Sequence, residues 1–244
     1  MSYITAFILG SIWGSFSNVC INRIPKNISI LTARSFCLSC NKKINWYDNI
    51  PLFSFIILNA KCRHCSTKIN LEYFLVIFYF FGLSFESLLL IVLSVFFVII
   101  FFIDLRHFII PNELTFSLMA LGFIKSFLTN PSLFIFPDYI QSLIGGITGY
   151  FVIWFIIFIY KKLKDVEGMG LGDAKLLSAL GFWFGWIALP FILIFSSVIA
   201  LVIAIPSLIN KSKNMRTQIP FGPYLILGCL FYLFFNDQII KFLS

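Results

Sequence analysis

Long apolar runs, separated by short polar segments, dominate this chain of 244 residues. A helix that crosses a bilayer needs about 20 consecutive and mostly apolar residues, so each run predicts a membrane-spanning helix. The stretch 71–104 is too long for one such helix, and the turn-like residues 82–86 divide it in two. The pattern therefore predicts an all-α membrane protein with about eight transmembrane helices. We place them at approximately residues 3–22, 71–86, 88–104, 113–129, 139–160, 173–189, 190–209 and 222–241.

One sizeable polar segment interrupts this pattern between the first two spans. It predicts three parts: a first transmembrane helix over residues 1–22, a loop domain over 23–70, and a multi-span core over 71–244. The composition agrees, because 60% of the residues are hydrophobic and 11% are charged, whereas soluble domains carry about 25% charged residues. A soluble nucleic-acid-binding module is thereby excluded, although the net charge is +8.

Basic residues are concentrated in alternate connecting segments. They follow the first, third, fifth and seventh spans, within residues 23–68, 106, 161–164 and 211–216. Because Lys and Arg are enriched in cytoplasmic loops, we expect these four segments to face the cytoplasm and both termini to face outward. Only Lys125 and Lys241 fall near the opposite side.

The polar loop contains two Cys-x-x-Cys pairs, which are Cys37 with Cys40 and Cys62 with Cys65. The pairs are separated by 21 residues, slightly more than the 15–20 usual for zinc sites of this pattern. Two disulfides or four free thiols are the alternatives, but disulfides are rare in the cytoplasm, where we expect this loop. Four protein ligands leave no position for water, so a zinc ion bound here would be structural. His64 is a substitute ligand or, as we expect, a solvated loop residue.

Two aspartates stand at the edges of apolar runs. Asp104 closes the run 88–103, and Asp173 opens another run. Carboxylates at such positions usually face a protein interior or a water-filled cavity with a function. Each also has a plainer explanation, since Asp104 would pair with Arg106 or Lys175 and Asp173 would be a helix N-cap. Because both lie on the same predicted membrane side, we interpret them as a shared catalytic site.

A pair of neighbouring carboxylates favours one type of catalysis. The two groups share a proton and titrate as a unit, so one takes a proton from water while the other protonates the carbonyl oxygen of an amide. The chain has only two histidines, His64 and His107, and neither has an obvious nucleophile as a neighbour in the sequence. The sequence therefore favours an aspartic peptidase over a serine or cysteine peptidase.

Three glycines precede Asp173, at Gly168, Gly170 and Gly172. Glycine lets another backbone approach closely, so these residues are candidates for a loop that admits an extended substrate. Spaced glycines also precede helices that bind a dinucleotide or S-adenosylmethionine, but such sites require a preceding strand. Here residues 161–167 end a predicted membrane span instead, which argues against that second interpretation.

Six motifs, taken in order, resemble those of the bacterial type IV prepilin peptidases, a family of intramembrane aspartic peptidases. They lie at residues 14–25, 37–65, 46–51, 104–111, 168–177 and 219–223. The resemblance implies an enzyme of the bacterial inner membrane that removes the basic leader from prepilins or pseudopilins at the cytoplasmic face. It also implies methylation of the new N-terminus with S-adenosylmethionine.

By this resemblance, Asp104 and Asp173 carry the peptide hydrolysis and the four cysteines hold a structural zinc ion. The expected partners are type IV prepilins or pseudopilins and membrane lipid, with no nucleic acid. The sequence identifies no residues for S-adenosylmethionine and no oligomeric state.

One departure from the family concerns the methyltransferase half. Its Tyr-Pro-Leu-Val-Glu pattern corresponds here to residues 73–77, in which Phe74 replaces the proline and Ile77 replaces the glutamate. Because that glutamate is associated with methyl transfer, a peptidase without methyltransferase activity is the first alternative. A non-catalytic assembly protein with a zinc loop, in which the aspartates serve only as helix caps, is the second.

Overall fold

The structure is a computed structural model of the chain. It describes residues 16–17, 19–30, 36–37, 40, 42–44, 58, 61–67, 85–129, 137–164, 170–209 and 220–243. The chain divides into two compact units, Met1–Ile99 and Ile100–Ser244.

Six long helices make up most of the described residues. They are α1 (Phe85–His107), α2 (Asn112–Leu128), α3 (Tyr139–Lys164), α4 (Leu171–Phe184), α5 (Ala188–Ile209) and α6 (Gly222–Leu243). Within the described ranges no strand is present, and an isolated antiparallel bridge joins Phe36 to Lys43. The prediction of an all-helical chain is confirmed for these residues.

Among the described residues, three helices are long and apolar enough to cross a membrane, by length and composition: Leu89–His107, Tyr139–Leu163 and Ala188–Ile205. A shorter apolar helix covers Gly222–Asn236. The eight spans stay a prediction, because 3–22 and 71–86 lie largely outside the described residues. The 14 residues of α4 extend about 21 Å, which is less than the roughly 30 Å of a bilayer core.

The described part of the first unit includes helical residues 19–23, which lead into the 3₁₀ turn Ile24–Lys26. Asn27 ends this turn in a left-handed conformation, with φ of 54°. The buried guanidinium of Arg23 donates a hydrogen bond of 3.3 Å to the Ser29 carbonyl oxygen. The same group lies 5.4 Å from the ring centre of Phe36, so it connects the end of the helical segment to the residue before Cys37.

In the second unit, α4 is the central element. Ten of its 14 residues are buried, and it packs mainly against α3 and α2, while α5 pairs with α6. Gly185 ends α4 with a positive φ of 77°, a conformation that glycine adopts far more easily than other residues. A buried helix that is shorter than its neighbours places its N-terminus, which carries Asp173, among the ends of those neighbours.

Glycines bring the backbones of α3 and α4 into direct contact. A side chain at Gly181 would collide with the backbone of Gly145, and one at Gly149 would come 2.7 Å from the Leu177 carbonyl oxygen. Small residues at a helix–helix interface allow the helices to approach closely in membranes. Ser178 reinforces the contact by donating a hydrogen bond of 2.7 Å to the Gly146 carbonyl oxygen.

Side chains of the neighbouring helices cap the C-terminal end of α4. Ser142 of α3 donates a hydrogen bond of 2.6 Å to the Phe182 carbonyl oxygen, and Lys125 of α2 donates to the Trp183 carbonyl oxygen. The Trp183 indole N–H in turn donates 2.8 Å to the Leu118 carbonyl oxygen. Carbonyls in the last turn of a helix have no partner within the helix, so these contacts fix α4 against α2 and α3.

Candidate active site and metal centre

Asp104 lies in the last turn of α1 and is buried, with 4% of its surface exposed. Phe108 follows the helix with a φ of 56°, and its N–H donates to the Asp104 carbonyl oxygen at 2.9 Å. The Asp104 carboxylate oxygen Oδ2 accepts a hydrogen bond of 3.0 Å from the backbone N–H of Gly222, the first residue of α6. This side chain therefore joins the end of one helix to the beginning of another.

Asp173 is the third residue of α4 and is also buried, at 8% exposed. Gly170 occupies the N-cap position, and the Asp173 N–H donates 3.2 Å to the Gly170 carbonyl oxygen. The explanation of Asp173 as a helix N-cap is therefore wrong, because the residue lies inside the first turn. A capping hydrogen bond does not explain this buried carboxylate, since no side chain caps the start of α4.

The two aspartates occupy the same end of the second unit. Their carboxyl groups are close enough for a direct electrostatic interaction. Ile110, in the connection between α1 and α2, packs against both Gly172, which precedes Asp173, and Gly222, which donates to Asp104. A Cβ on Gly172 would come 3.1 Å from the Ile110 Cβ, and a Cβ on Gly222 would come 3.0 Å from its Cδ1.

The basic residues considered as partners of Asp104 make other contacts. Lys175 donates a hydrogen bond of 2.6 Å to the Asn112 side-chain oxygen at the start of α2, and its ammonium lies 5.7 Å from the ring centre of Phe116. The guanidinium of Arg106 lies 5.8 Å from the ring centre of Phe102. Lys175 thus ties the N-terminal part of α4 to the first turn of α2.

The three glycines before Asp173 have different positions. Gly168 lies outside the described residues. Gly170 is the N-cap of α4, where an added Cβ would make ordinary van der Waals contact at 3.9 Å with the Asp173 Oδ2. Gly172 belongs to α4 and packs against Ile110. The sequence motif 219–223 contributed to the family resemblance, but its contact with Asp104 was not predicted. A Gly-Pro pair at the start of an apolar run is the signal that could have drawn attention to Gly222.

The four cysteine sulfurs form a compact group in the first unit. All four lie within 4.8 Å of one another, and the sulfurs of Cys37 and Cys65 are 3.6 Å apart. A tetrahedral site with Zn–S bonds of about 2.3 Å places neighbouring sulfurs about 3.8 Å apart. The cysteines are not joined in disulfides. The group could therefore hold a metal ion such as zinc.

Short backbone turns present the sulfurs. The Cys37 N–H donates 2.9 Å to the Lys42 carbonyl oxygen, and the Cys62 N–H donates 2.9 Å to the Thr67 carbonyl oxygen. The Thr67 hydroxyl lies 3.1 Å from the Cys65 sulfur. Hydrogen bonds from the Thr67 hydroxyl and backbone N–H lower the pKa of the Cys65 thiol to about 6, which favours the thiolate that a metal requires. His64 is exposed and stands apart from this group.

Two known protein-family models match this chain, one over the segment with the four cysteines and one over the segment with the two aspartates. Residues 8–95 match the bacterial peptidase A24 N-terminal domain. Residues 91–205 match the type IV leader peptidase family. The chain belongs to the type IV leader peptidase family. The family resemblance inferred from the six motifs is thereby confirmed.

Curated relatives cover nearly the whole chain. A prepilin leader peptidase/N-methyltransferase of Vibrio cholerae is 35% identical over 93% of this chain and 94% of its own length. Proteins of the same name from Stutzerimonas stutzeri and Pseudomonas aeruginosa are 31% and 29% identical, each over 96% of this chain. They span 91% and 90% of those proteins. No solved structure matches the chain.

Family membership and the apolar helices together support a peptidase of the inner membrane.

Proposed function

We propose that this protein is an aspartic endopeptidase that removes the leader from type IV prepilins or pseudopilins at the cytoplasmic membrane face. Asp104 and Asp173 are the catalytic residues in this proposal. The observation that carries it is that two buried carboxyl groups from separate helices lie near enough to interact electrostatically. The names of the curated relatives supply the class of substrate.

The reaction requires one ionised and one protonated carboxyl group. The ionised group accepts a proton from a water molecule, whose oxygen attacks the scissile carbonyl carbon, while the protonated group gives its proton to the carbonyl oxygen. Collapse of the tetrahedral intermediate then breaks the C–N bond, and the amine leaves with the proton that the first group had taken. Two buried carboxyl groups that interact electrostatically favour this division, because both cannot ionise easily.

The surroundings of the two aspartates suit a substrate that is partly embedded in lipid. Leu105 and Phe108, beside Asp104, are about half exposed, and so is Leu171, beside Asp173. A prepilin would keep its apolar helix in the bilayer while its basic leader extends into the cytoplasm. The apolar side chains would then face the membrane part of the substrate, and the cleavage site would reach the carboxyls.

The four-cysteine group serves as a structural zinc site in this proposal. Its ligands would be Cys37, Cys40, Cys62 and Cys65, which occupy all four positions of a tetrahedral ion and leave none for a reacting water. Zinc would thus stabilise the fold of a loop that is too short to bury a core of its own. The loop is expected on the cytoplasmic side, with the two aspartates.

Methyl transfer from S-adenosylmethionine is a second candidate activity. The relatives are named N-methyltransferases as well as peptidases, and this favours it. Ile77 stands against it, because the family has a glutamate there, and residues 73–77 lie outside the described part of the structure. An assay that follows methyl transfer separately from cleavage decides the question, and Ile77→Glu raises methyl transfer if this position limits it.

The decisive experiment uses full-length protein in detergent with a purified prepilin, and follows leader loss by mass spectrometry. Asp104→Asn and Asp173→Asn are each expected to reduce cleavage by at least about 100-fold, since general acid–base groups contribute 10²–10⁴. Glu113→Gln is the matched control, because Glu113 is an exposed carboxylate at the start of α2, and it should cleave like the wild type.

Retention of cleavage in either aspartate variant contradicts the proposal. If both variants function and Cys37→Ser alone abolishes function, the protein is instead a non-catalytic assembly protein organised by its metal loop.

A further inference from the structure

The N-terminus of α6 directs one backbone N–H, which has no partner within the helix, at Asp104. Helices leave their first N–H groups without partners inside the helix. In α6, the N–H groups of Tyr224 and Leu225 bond to the Phe221 carbonyl oxygen, at 3.0 and 3.1 Å. Pro223 has no N–H. The N–H of Gly222 remains, and it donates to the Asp104 carboxylate across 118 positions of sequence.

The space beside Asp104 also requires a glycine at position 222. A Cβ there would lie 2.6 Å from the Asp104 Oδ2 and 3.3 Å from the Asp104 carboxylate carbon. Among the described glycines, Gly185 alone has a positive φ. The backbone of Gly222 therefore does not adopt a left-handed conformation, and a turn is not the reason for a glycine there. Its small size allows the backbone to approach the carboxylate closely enough for the hydrogen bond.

We infer that Gly222 is a positioning residue for the catalytic aspartate: its N–H and its lack of a side chain hold the Asp104 carboxylate in one orientation. This inference rests on the proposed function, in which Asp104 acts on the peptide bond. With Oδ2 engaged by the backbone of α6, the second oxygen is the one available for proton transfer. Catalytic groups must be held within a fraction of an ångström, and a misplacement of about 1 Å can cost 100-fold in rate.

Gly228 provides a matched control on the same helix. A Cβ at Gly228 would press on the Ser196 side chain and come 2.6 Å from the Ile192 carbonyl oxygen. Gly228→Ala thus crowds the contact between α6 and α5 and does not touch Asp104. Both alanine variants disturb packing, but only Gly222→Ala should disturb the carboxylate.

The first test is the steady-state cleavage of a prepilin by the full-length variants. Gly222→Ala should lower kcat on the order of 100-fold and leave KM close to that of the wild type, because the carboxylate moves and the substrate contacts remain. Gly228→Ala should leave kcat unchanged once the folded fraction is taken into account. Equal kcat values for the two variants, or a Gly222→Ala effect confined to KM, overturn the inference.

The second test is a double-mutant cycle in thermal unfolding, which does not depend on activity. Gly222→Ala should lower the Tm by about 4 °C in the wild-type background. In the Asp104→Ala background the carboxylate that the new methyl group meets is gone, so the loss should fall below about 1 °C. An equal loss in both backgrounds shows that Gly222 does not act through Asp104, and this overturns the inference.

The two tests also separate this inference from the proposed function. An active Asp104→Asn enzyme refutes the catalytic role of Asp104, while the thermal cycle still decides whether Gly222 holds that side chain. An inactive Asp104→Asn enzyme, together with a fully active Gly222→Ala enzyme, refutes the positioning role and leaves the proposed function intact.

Discussion

The ammonium of Lys175 in α4 and the side-chain oxygen of Asn112 in α2 are joined by a hydrogen bond of 2.6 Å. Asn112 begins α2, directly after the short connection that follows Asp104 and the end of α1, and Lys175 lies two residues after Asp173. The bond therefore connects the two chain segments that carry the proposed catalytic carboxyls. It acts as a tie between α2 and α4 at the candidate active site.

Loss of this tie should weaken the enzyme without unfolding it. Lys175→Met keeps most of the length of the side chain but removes the donor, and we expect kcat/KM for leader cleavage to fall by about tenfold. This corresponds to about 1.4 kcal/mol, slightly below the usual range for hydrogen bonds to charged groups, because Lys175 is partly exposed. Lys162→Met, at an exposed position near the end of α3, is the control. Activity of Lys175→Met equal to that of the wild type would refute the tie.

Lys125 should contribute to stability rather than to catalysis, since it caps α4 at the end away from Asp173. Lys125→Met leaves the buried Trp183 carbonyl oxygen without this donor, so we expect the free energy of unfolding to fall by about 1–3 kcal/mol. The measurement is thermal or denaturant unfolding of the protein in detergent. Ile124→Met, at an exposed position of the same helix, should change it by less than about 0.5 kcal/mol. A Lys125→Met protein as stable as the wild type would contradict this role.

The backbone contact between α3 and α4 predicts an unusual sensitivity to a single methyl group. In Gly181→Ala the added methyl meets the backbone of Gly145, which cannot rotate away, so the helices must separate. We expect the free energy of unfolding to fall by about 1–3 kcal/mol. In Gly170→Ala the new methyl group has no neighbour closer than ordinary van der Waals contact at 3.9 Å, and the variant should cost less than about 1 kcal/mol. Similar losses in both variants would show that the close helix contact is unimportant.

The cysteine group predicts a defined metal content. Purified protein should contain about one zinc ion per chain, and Cys37→Ser or Cys62→Ser should abolish it, since a tetrahedral site needs all four ligands. Elemental analysis by mass spectrometry measures this directly. Protein prepared without chelators that holds no zinc would refute the site.

Thr67 should tune that metal site through its hydrogen bond to the Cys65 sulfur. Thr67→Val removes the hydroxyl and keeps the shape, and it should weaken zinc affinity by about tenfold, at the lower end of the range for groups that support metal ligands. Thr67→Ser keeps the hydroxyl and should behave like the wild type in a competition with a zinc chelator. Equal affinities of the valine and serine variants would exclude this role of the hydroxyl.

Several features could be predicted from local patterns. The apolar runs located α2, α3, α5 and α6 to within a few residues, because a helix of this length is defined by its own composition. The Cys-x-x-Cys pairs predicted a metal-type group, since each pair forms within a single turn. The ordered motifs predicted the family, and the comparisons confirm it.

Other features depended on contacts between distant segments. Asp173 was open to explanation as a helix cap, and the position of the helix start at Leu171 excludes this. The sequence placed Lys125 near the outer side, but its burial against Trp183 was not predicted. Position along an apolar run does not reveal which backbone carbonyl lies within reach of a side chain.

The sequence by itself located most of the described helices, paired the metal-type cysteines and singled out the two acidic residues, because these follow from composition and spacing over short stretches of chain. Only the tertiary structure decided that Asp104 meets the first N–H of α6 at Gly222, and that Asp173 lies inside α4 near it. The physical reason is that a hydrogen bond between residues 118 positions apart depends on how helices pack, and helix packing is set by close backbone contacts such as that between Gly145 and Gly181.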